Sequence, residues 1–331
     1  MLPFPAQALP EQAVARQPTL LITGASGFLG RYVCHLARSR YTVQGLTCRS
    51  VPPSIAAVQW HRCDLLAGEL DDRHPVVALL NQLQPCAVLH LAAEANTGRC
   101  DQDPHRSDRL NCQVPIALAQ HCGDRQIPFL FTSTGLVFAG NHAPYREGDP
   151  VNPLMRYGHQ KAAAEAAVLA LGSPVLIPRL PLLFGTGEWP ASNFMEHLDQ
   201  ALAQGEPVNL FTDEYRTPLS GWTAAWGLVQ AVGWAIAGQR GLVHLAGADR
   251  ISRYDLGLRF ANWRGYDPSL LRPCPRSSLG PANPRPADTS LNITLARSLG
   301  YAPPSLDQQL TTCPYPPAFL VSSPRPRPPS P

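Results

Sequence analysis

The sequence predicts an α/β fold, a doubly wound parallel sheet with a smaller C-terminal lobe. Three observations carry that expectation. Short apolar runs alternate with helical segments, a glycine cluster closes the first run, and the pattern loosens after Gly185. Such alternation means parallel strands buried on both faces by their connecting helices. The chain has 331 residues, 44% hydrophobic and 15% charged, which is ample for a buried core. A net charge of +3 is too small for an electrostatic nucleic-acid binder. No apolar run reaches the roughly 18 residues of a membrane span, and the first residues lack the basic start and sustained apolar stretch of a signal peptide. A cytoplasmic location is the expectation.

Residues 1–17 are rich in Pro and Ala without periodicity and read as a flexible arm. Thr19–Thr23 reads as the first strand, Arg31–Arg40 as a helix with Tyr32, Val33 and Leu36 on one face, and Tyr41–Leu46 as the second strand. Val58–Trp60, Ala87–Leu91, Pro128–Thr132 and Val175–Ile177 read as further strands, separated by helices at Val76–Leu83, Asn111–His121 and Tyr157–Leu171. Helix Thr223–Ile236 and strand Leu242–Leu245 return to the sheet, so a first domain over 18–185 is completed by about 223–247. Residues 186–222 and 248–312, with helical stretches at Phe194–Gln204 and Tyr254–Asn262, form a second lobe. Residues 313–331 read as a Pro-rich disordered tail.

The chain has 9 cysteines and no CxxC, so neither a disulfide framework nor a thiolate metal site is expected. Cys100, Cys112, His121 and Cys122 come nearest to a metal pattern. Adjacent helical residues point about 100° apart, which makes shared ligation by His121 and Cys122 awkward. The thiols read as packing residues, and no metal is expected.

Thr23-Gly24-Ala25-Ser26-Gly27-Phe28-Leu29-Gly30 lies between the first strand and its helix. Gly24 permits the tight turn, Gly27 lets backbone amides approach a pyrophosphate, and Gly30 lets helix and strand pack closely. The free amides and dipole of the helix then face the negative charge. The second strand ends in Thr47-Cys48-Arg49-Ser50, without the carboxylate that NAD enzymes place there for the ribose hydroxyls. Arg49 is the expected partner of a 2′-phosphate, with Arg31 assisting. The expected cofactor is therefore NADP, with NAD as the alternative. Asp64 and Leu65, after the third strand, stand where the adenine needs an acceptor; capping the following turn is the other use of Asp64.

Among 27 Lys+Arg residues there is one lysine, Lys161. It follows Tyr157 at i+4, so the two share a helix face. Ser133-Thr134 offers a hydroxyl at the carboxyl end of a strand, the edge where open α/β sheets bind ligands. An ammonium about 5 Å from a phenol stabilises the phenolate by roughly 3 kcal/mol at an effective dielectric of about 20, or about two pKa units. Tyr157 is thus expected to be acidified by Lys161 and to donate a proton to a carbonyl oxygen. Thr134 holds that oxygen, and Lys161 also binds ribose hydroxyls.

These residues resemble the extended short-chain dehydrogenase/reductase family, and within it the dTDP-4-dehydrorhamnose reductases and the related regulatory beta subunits of methionine adenosyltransferase. The resemblance covers nearly all of residues 19–310. Thr23–Gly30 matches the family's cofactor turn, and Tyr157 with Lys161 matches its YxxxK. Ser133–Phe138 resembles the STDYVF segment, which carries the active-site threonine onto Thr134. Leu91-Ala92-Ala93 is similar to the fourth-strand segment lining the cofactor, and Pro144–Glu147 to the loop before the active-site helix. Arg179–Gly185, Asn193-Phe194 and Arg285–Leu291 look like the C-terminal motifs, which makes Asn193 and Arg285 candidate substrate contacts; loop capping and surface charge are their alternatives. The STDYVF aspartate and tyrosine are Gly135 and Leu136 here, and no Asp-Glu pair follows the threonine as in the sugar dehydratases. The resemblance implies a Rossmann-type fold and an NAD(P)H-dependent reductase of a nucleotide-linked keto-sugar, with a small-molecule partner. It leaves room for a homodimer. A nucleotide-sugar epimerase using the same triad and a non-catalytic NADP-binding regulatory subunit are the rival readings.

Overall fold

The structure, a computed structural model, describes residues 17–48, 55, 57–185, 194–280 and 284–312. The first strand, β1 (Thr19–Thr23), runs through the glycine turn into α1 (Phe28–Ala37), followed by β2 (Thr42–Thr47) and β3 (Val58–Arg62). Next come α2 (Pro75–Leu83), β4 (Ala87–His90) and two short helices, α3 (Thr97–Gln102) and α4 (Pro104–Asp108). A π-turn over Arg109–Gln113 opens into α5 (Val114–Asp124). Then follow β5 (Phe129–Phe131), β6 (Ser133–Thr134), α6 (Arg156–Ala170) and β7 (Val175–Leu180). The rest comprises β8 (Leu183–Phe184), α7 (Phe194–Ala203), β9 (Val208–Phe211), β10 (Tyr215–Arg216), β11 (Leu219–Ser220), α8 (Gly221–Ile236) and β12 (Gly241–His244). It ends with β13 (Ile251–Ser252), α9 (Arg253–Arg264), β14 (Leu271–Cys274), α10 (Thr294–Ser298) and α11 (Leu306–Thr312).

The main sheet has the order β12-β7-β5-β4-β1-β2-β3, with β6 beside β7. Its pairs are parallel. The chain steps outward from β1 to β3 and then crosses back to β4, so the order reverses between β1 and β4. That switch point opens the crevice in which such sheets bind ligands. The architecture is the expected Rossmann-type doubly wound sheet.

Two cores cover its faces. On one, α1 and α8 bury Val33, Leu228 and Val232 against Leu20 and Ile22. On the other, α2, α5 and α6 bury Val76, Leu80, Leu118 and Val168 against Val88 and Phe129. A third cluster joins Met195, Leu198, Leu210, Leu256, Phe260 and Leu306, from α7, β9, α9 and α11. Its main helix has clear ends. Ser252 Oγ accepts from Asp255 N at 3.0 Å, and Gly265 closes α9 at φ +74°, as caps at each terminus should.

The main differences from the expected elements have local causes. The first helix starts at Phe28, so Gly30 lies inside it. The segment expected as a helix from Asn111 begins as a π-turn. The short helices α3 and α4 were not anticipated; each is capped by its own side chain, Asn96 for α3 and Asp103 for α4. Arg49, Asn193, most of the arm and the Pro-rich tail lie outside the described residues.

Candidate active site

The glycine turn presses against the end of β4. Gly24 has φ +66°, and a Cβ there would lie 2.7 Å from Ala92 N. A Cβ on Gly30 would collide with Gly24 O and lie 2.7 Å from Ala25 Cα. Gly27 caps α1 without a side-chain bond, no acidic residue occupies that helix's first turn, and Phe28 and Leu29 begin it. Such a terminus presents its amides and positive dipole end to an anion. Thr47 Oγ1 donates to Ser26 Oγ at 3.0 Å, tying the turn to β2. Leu91 N donates to Thr23 O at 3.2 Å, and Ala92 N to Thr23 Oγ1 at 3.3 Å. Leu91, Ala92 and Ala93, all half-buried, therefore stand beside the turn. The turn fits a dinucleotide diphosphate because glycine alone lets its backbone pack this closely on β4 and on α1, leaving the helix-terminal amides for the anion. Asp64 Oδ1 accepts from Leu66 N at 3.0 Å, so Asp64 does cap its own turn, and Leu65 packs into the second core. Arg31 is 8% exposed within α1.

Thr134 ends β6, and its Oγ1 accepts from Leu136 N at 3.2 Å. The first turn of α6 comes close because Gly158 has no side chain: a Cβ there would collide with Leu136 O. This packing sets Tyr157 beside the Thr134 turn. Tyr157 is 9% exposed and Lys161 2%, and their spacing places both on one face of α6. A side chain at Gly135 would meet Thr289 O at 3.1 Å, so the segment after Arg285 passes along the same turn.

The electrostatics correct the expected acidification. Burial raises the Tyr157 phenol above its ordinary value, and the charges of Cys100 and Glu94 add to the rise. Lys161 does not offset this. Its Nζ lies 3.9 Å from the Phe131 ring centroid, and burial lowers its amine to about 7 against the opposing pull of Glu165 and Cys112. Desolvation is the largest cause at both groups.

Several residues around this pair escaped the sequence reading. His90, at the end of β4, shares a hydrogen bond between Nδ1 and Thr23 Oγ1 at 2.8 Å, and burial with nearby Lys161 pushes it down to about 3. Its Nε2 and Ser133 Oγ are buried polar atoms without a partner among the described residues. Glu165, one turn beyond Lys161, is held by Arg179 through bonds of 3.0 and 2.7 Å. Asn111, presented by the π-turn, donates to Gln160 Oε1 at 2.9 Å and to Glu94 O at 3.0 Å. Gln160 in turn donates to Ser107 Oγ at 2.8 Å. These bonds join α6 to the loop after β4. The i+4 step from Lys161 to Glu165 was visible in the sequence; no spacing announces Asn111.

Arg285 is neither a loose surface charge nor a simple cap. It donates to Glu214 Oε2 at 2.7 Å and Oε1 at 3.2 Å. Arg253 reaches the same carboxylate at 2.8 Å and Arg216 at 3.3 Å. Burial opposes the charge on Glu214, but Arg253, Arg285 and Arg216 overcome it and hold the carboxyl down at about 2. Three guanidiniums share the Glu214 carboxylate, with Asp288 also acting on Arg216, so the cluster keeps an excess of positive charge. Arg253 Nη1 is buried without a partner among the described residues. His121 Nε2 pairs with Leu70 O at 2.8 Å, and among the described residues no three or more His, Cys, Asp or Glu side chains are grouped as a metal site requires.

The RmlD substrate-binding domain model matches residues 18–314. The chain belongs to that family. Among curated relatives, the probable low-salt glycan biosynthesis reductase Agl14 of Haloferax volcanii is 29% identical, over 87% of this chain and 95% of its own. Methionine adenosyltransferase 2 subunit beta of Xenopus laevis is 26% identical, over 85% and 82%. A dTDP-4-dehydrorhamnose reductase from Bacillus anthracis, solved in complex with NADP, superposes with a TM-score of 0.74 at 19% identity, covering 89% of this chain and 97% of that one. That likeness concerns the fold.

Proposed function

We propose that this chain reduces the carbonyl of a nucleotide-linked keto-sugar with NADPH, Tyr157 giving the proton. The chain is an NAD(P)-dependent oxidoreductase of the RmlD family. The observation that supports the finer reading is that the glycine turn abuts the end of β4 while α6, on the neighbouring strands, packs its first turn against the Thr134 turn and sets Lys161 over Phe131 of β5. In this reading Gly24, Ser26, Gly27, Phe28, Leu29 and Gly30 hold the diphosphate, Leu91-Ala92-Ala93 line the nicotinamide half, and Asp64 and Leu65 the adenine. Arg49 takes the 2′-phosphate; NAD fits the same turn without it. The bound reduced cofactor supplies a hydride to the substrate carbon.

The protein's part is the proton and the oxygen. A phenol held above its ordinary pKa stays protonated at neutral pH, as a donor must. A developing alkoxide is still the stronger base, so Tyr157 gives up its proton only as the carbonyl is reduced. Thr134 Oγ1 holds the same oxygen. Lys161 binds ribose hydroxyls as a compact donor, a task for which Arg is a poor substitute. We assign the cofactor lobe to 18–185 with 223–247 and the substrate lobe to 186–222 with 248–312. In the latter, Arg285 and its neighbours favour the substrate's anionic end, and Asn193 contacts the sugar. The enzyme is read as cytoplasmic, and as acting alone or as a homodimer. No helix among the described residues is long and apolar enough to cross a membrane.

Screening NADPH oxidation against a panel of nucleotide-linked keto-sugars tests this reading. Turnover with one of them supports it. Interconversion of nucleotide-sugars without net cofactor consumption indicates an epimerase instead. Gly135 and Leu136 in place of the reductases' acid and tyrosine, together with the subunit-beta relative, favour a second reading, a cofactor-binding subunit of another enzyme. Tight NADPH binding with no turnover on any substrate selects it.

A further inference from the structure

Among the cysteines that the cofactor reading leaves unused, two stand beside its adenosine end. Cys48 and Cys63 are far apart in sequence, but the parallel pairing of β2 and β3 runs Gly45↔Trp60, Leu46↔His61, Thr47↔Arg62. The register ends at Thr47↔Arg62 with Cys63 N donating to Thr47 O at 2.9 Å, and Cys48 and Cys63 are the residues that follow directly on the two strands. Paired strands lie about 4.8 Å apart, within the Cα separation of roughly 4.4–6.8 Å that a disulfide spans. Their side chains share a face. A Cβ on Gly45 would lie 2.9 Å from the Trp60 ring and 3.1 Å from Ala25 Cβ, on the α1 side, whereas Leu46 and Cys63 belong to the opposite core. Cys48 follows the last residue of β2, and continued alternation directs it to the face of Leu46. The Cys48 thiol is exposed and that of Cys63 buried. Burial, then Asp64, then the neighbouring Cys48 push the Cys63 thiol up to about 11.

We propose that Cys48 and Cys63 form an oxidation site at the adenosine end of the dinucleotide cleft, closed to a disulfide by low-molecular-weight disulfides such as oxidised glutathione and weakening NADP binding when closed. The inference rests on the cofactor reading, in which Cys48 immediately precedes Arg49 and Cys63 immediately precedes Asp64. The exposed Cys48 thiolate attacks one sulfur of the glutathione disulfide and expels a glutathione thiolate. The Cys63 thiolate then attacks the Cys48 sulfur of the mixed disulfide and expels the second. Two electrons pass from the cysteines to the glutathione disulfide, and the cysteine protons end on two glutathione thiols. The elevated Cys63 thiol makes the second step slow at neutral pH and faster in alkali. The closed staple fixes the ends of β2 and β3 and with them the Asp64 turn, which can then no longer adjust to the adenosine.

The test treats the full chain with oxidised glutathione in mildly alkaline buffer, blocks remaining thiols, and maps disulfides by mass spectrometry of an unreduced digest. NADPH binding is titrated by fluorescence before and after, and again after dithiothreitol. The expected result is a Cys48–Cys63 linked peptide with about tenfold weaker NADPH binding, reversed by the reductant. Cys48→Ser is expected to bind NADPH like the untreated chain and to be insensitive to oxidation. Absence of the linked peptide overturns the proposal, and so does a link that leaves NADPH affinity unchanged. A reduced chain that binds neither NADPH nor NADH sinks the cofactor reading, a failure visible before any oxidant is added.

Discussion

Two buried charges, one in each half of the molecule, meet opposite fates. Glu214 is fully buried but ringed by Arg216, Arg253 and Arg285, and its carboxyl is held down at about 2. Lys161 is as deeply buried, but it faces the Phe131 ring and a Glu165 already engaged by Arg179, and its amine falls to about 7. Surrounding counter-charges lock a group in one state. Burial without them brings it to where protons move near neutral pH, the setting that acid–base chemistry needs. The fixed charge organises the segment that carries Arg285; the adjustable one lies in the proposed reaction centre.

The sharpest way to break this contrast is at the phenol. Tyr157→Phe should lower kcat by about 1,000-fold, within the range of a lost general acid, while NADPH affinity measured by titration stays unchanged. Next comes the locked charge. Glu214→Gln leaves three guanidiniums without their carboxylate and should cost roughly 3–5 kcal/mol in urea denaturation, as when one partner of a buried pair is removed. The wild-type contribution is fully present above pH 4.5, the ordinary value, and is lost as pH falls towards about 2, because the folded carboxyl holds its proton less readily than the unfolded one.

The adjustable charge has the opposite signature. Lys161 releases its proton more readily when folded, so its contribution to cofactor-free stability should rise between pH 7 and 10.5 as the unfolded chain keeps a proton the folded one has lost. The wild type minus Lys161→Met difference in unfolding free energy should grow across that window, because the buried thiols and phenols that lose stability above pH 9 are common to both chains. Smallest is the selectivity effect: Arg49→Glu should weaken NADPH more than NADH in paired titrations, and equal losses would remove Arg49 from the 2′-phosphate.

What the sequence disclosed follows the same division. The β1–turn–α1 unit and the Tyr157–Lys161 step are local, so spacing alone exposes them, and alternation of strand and helix exposes the sheet. The Glu214 cluster joins Arg285 across 71 positions, and the Asn111–Gln160 bond spans 49; neither leaves a periodic trace. The Cys48–Cys63 pair emerges only once the β2–β3 register is known. The expected acidity of Tyr157 failed for another reason. Spacing on a helix reports which residues are neighbours, but not how much water their burial removes.

The most direct test follows deuterium from NADPH labelled at C4 of the dihydronicotinamide into product, with a keto-sugar that the chain turns over. One deuterium per cofactor consumed, bound to the new carbinol carbon, with Tyr157→Phe unable to form that product, is the predicted result. Label remaining in the cofactor pool, or full transfer by Tyr157→Phe, would contradict the account.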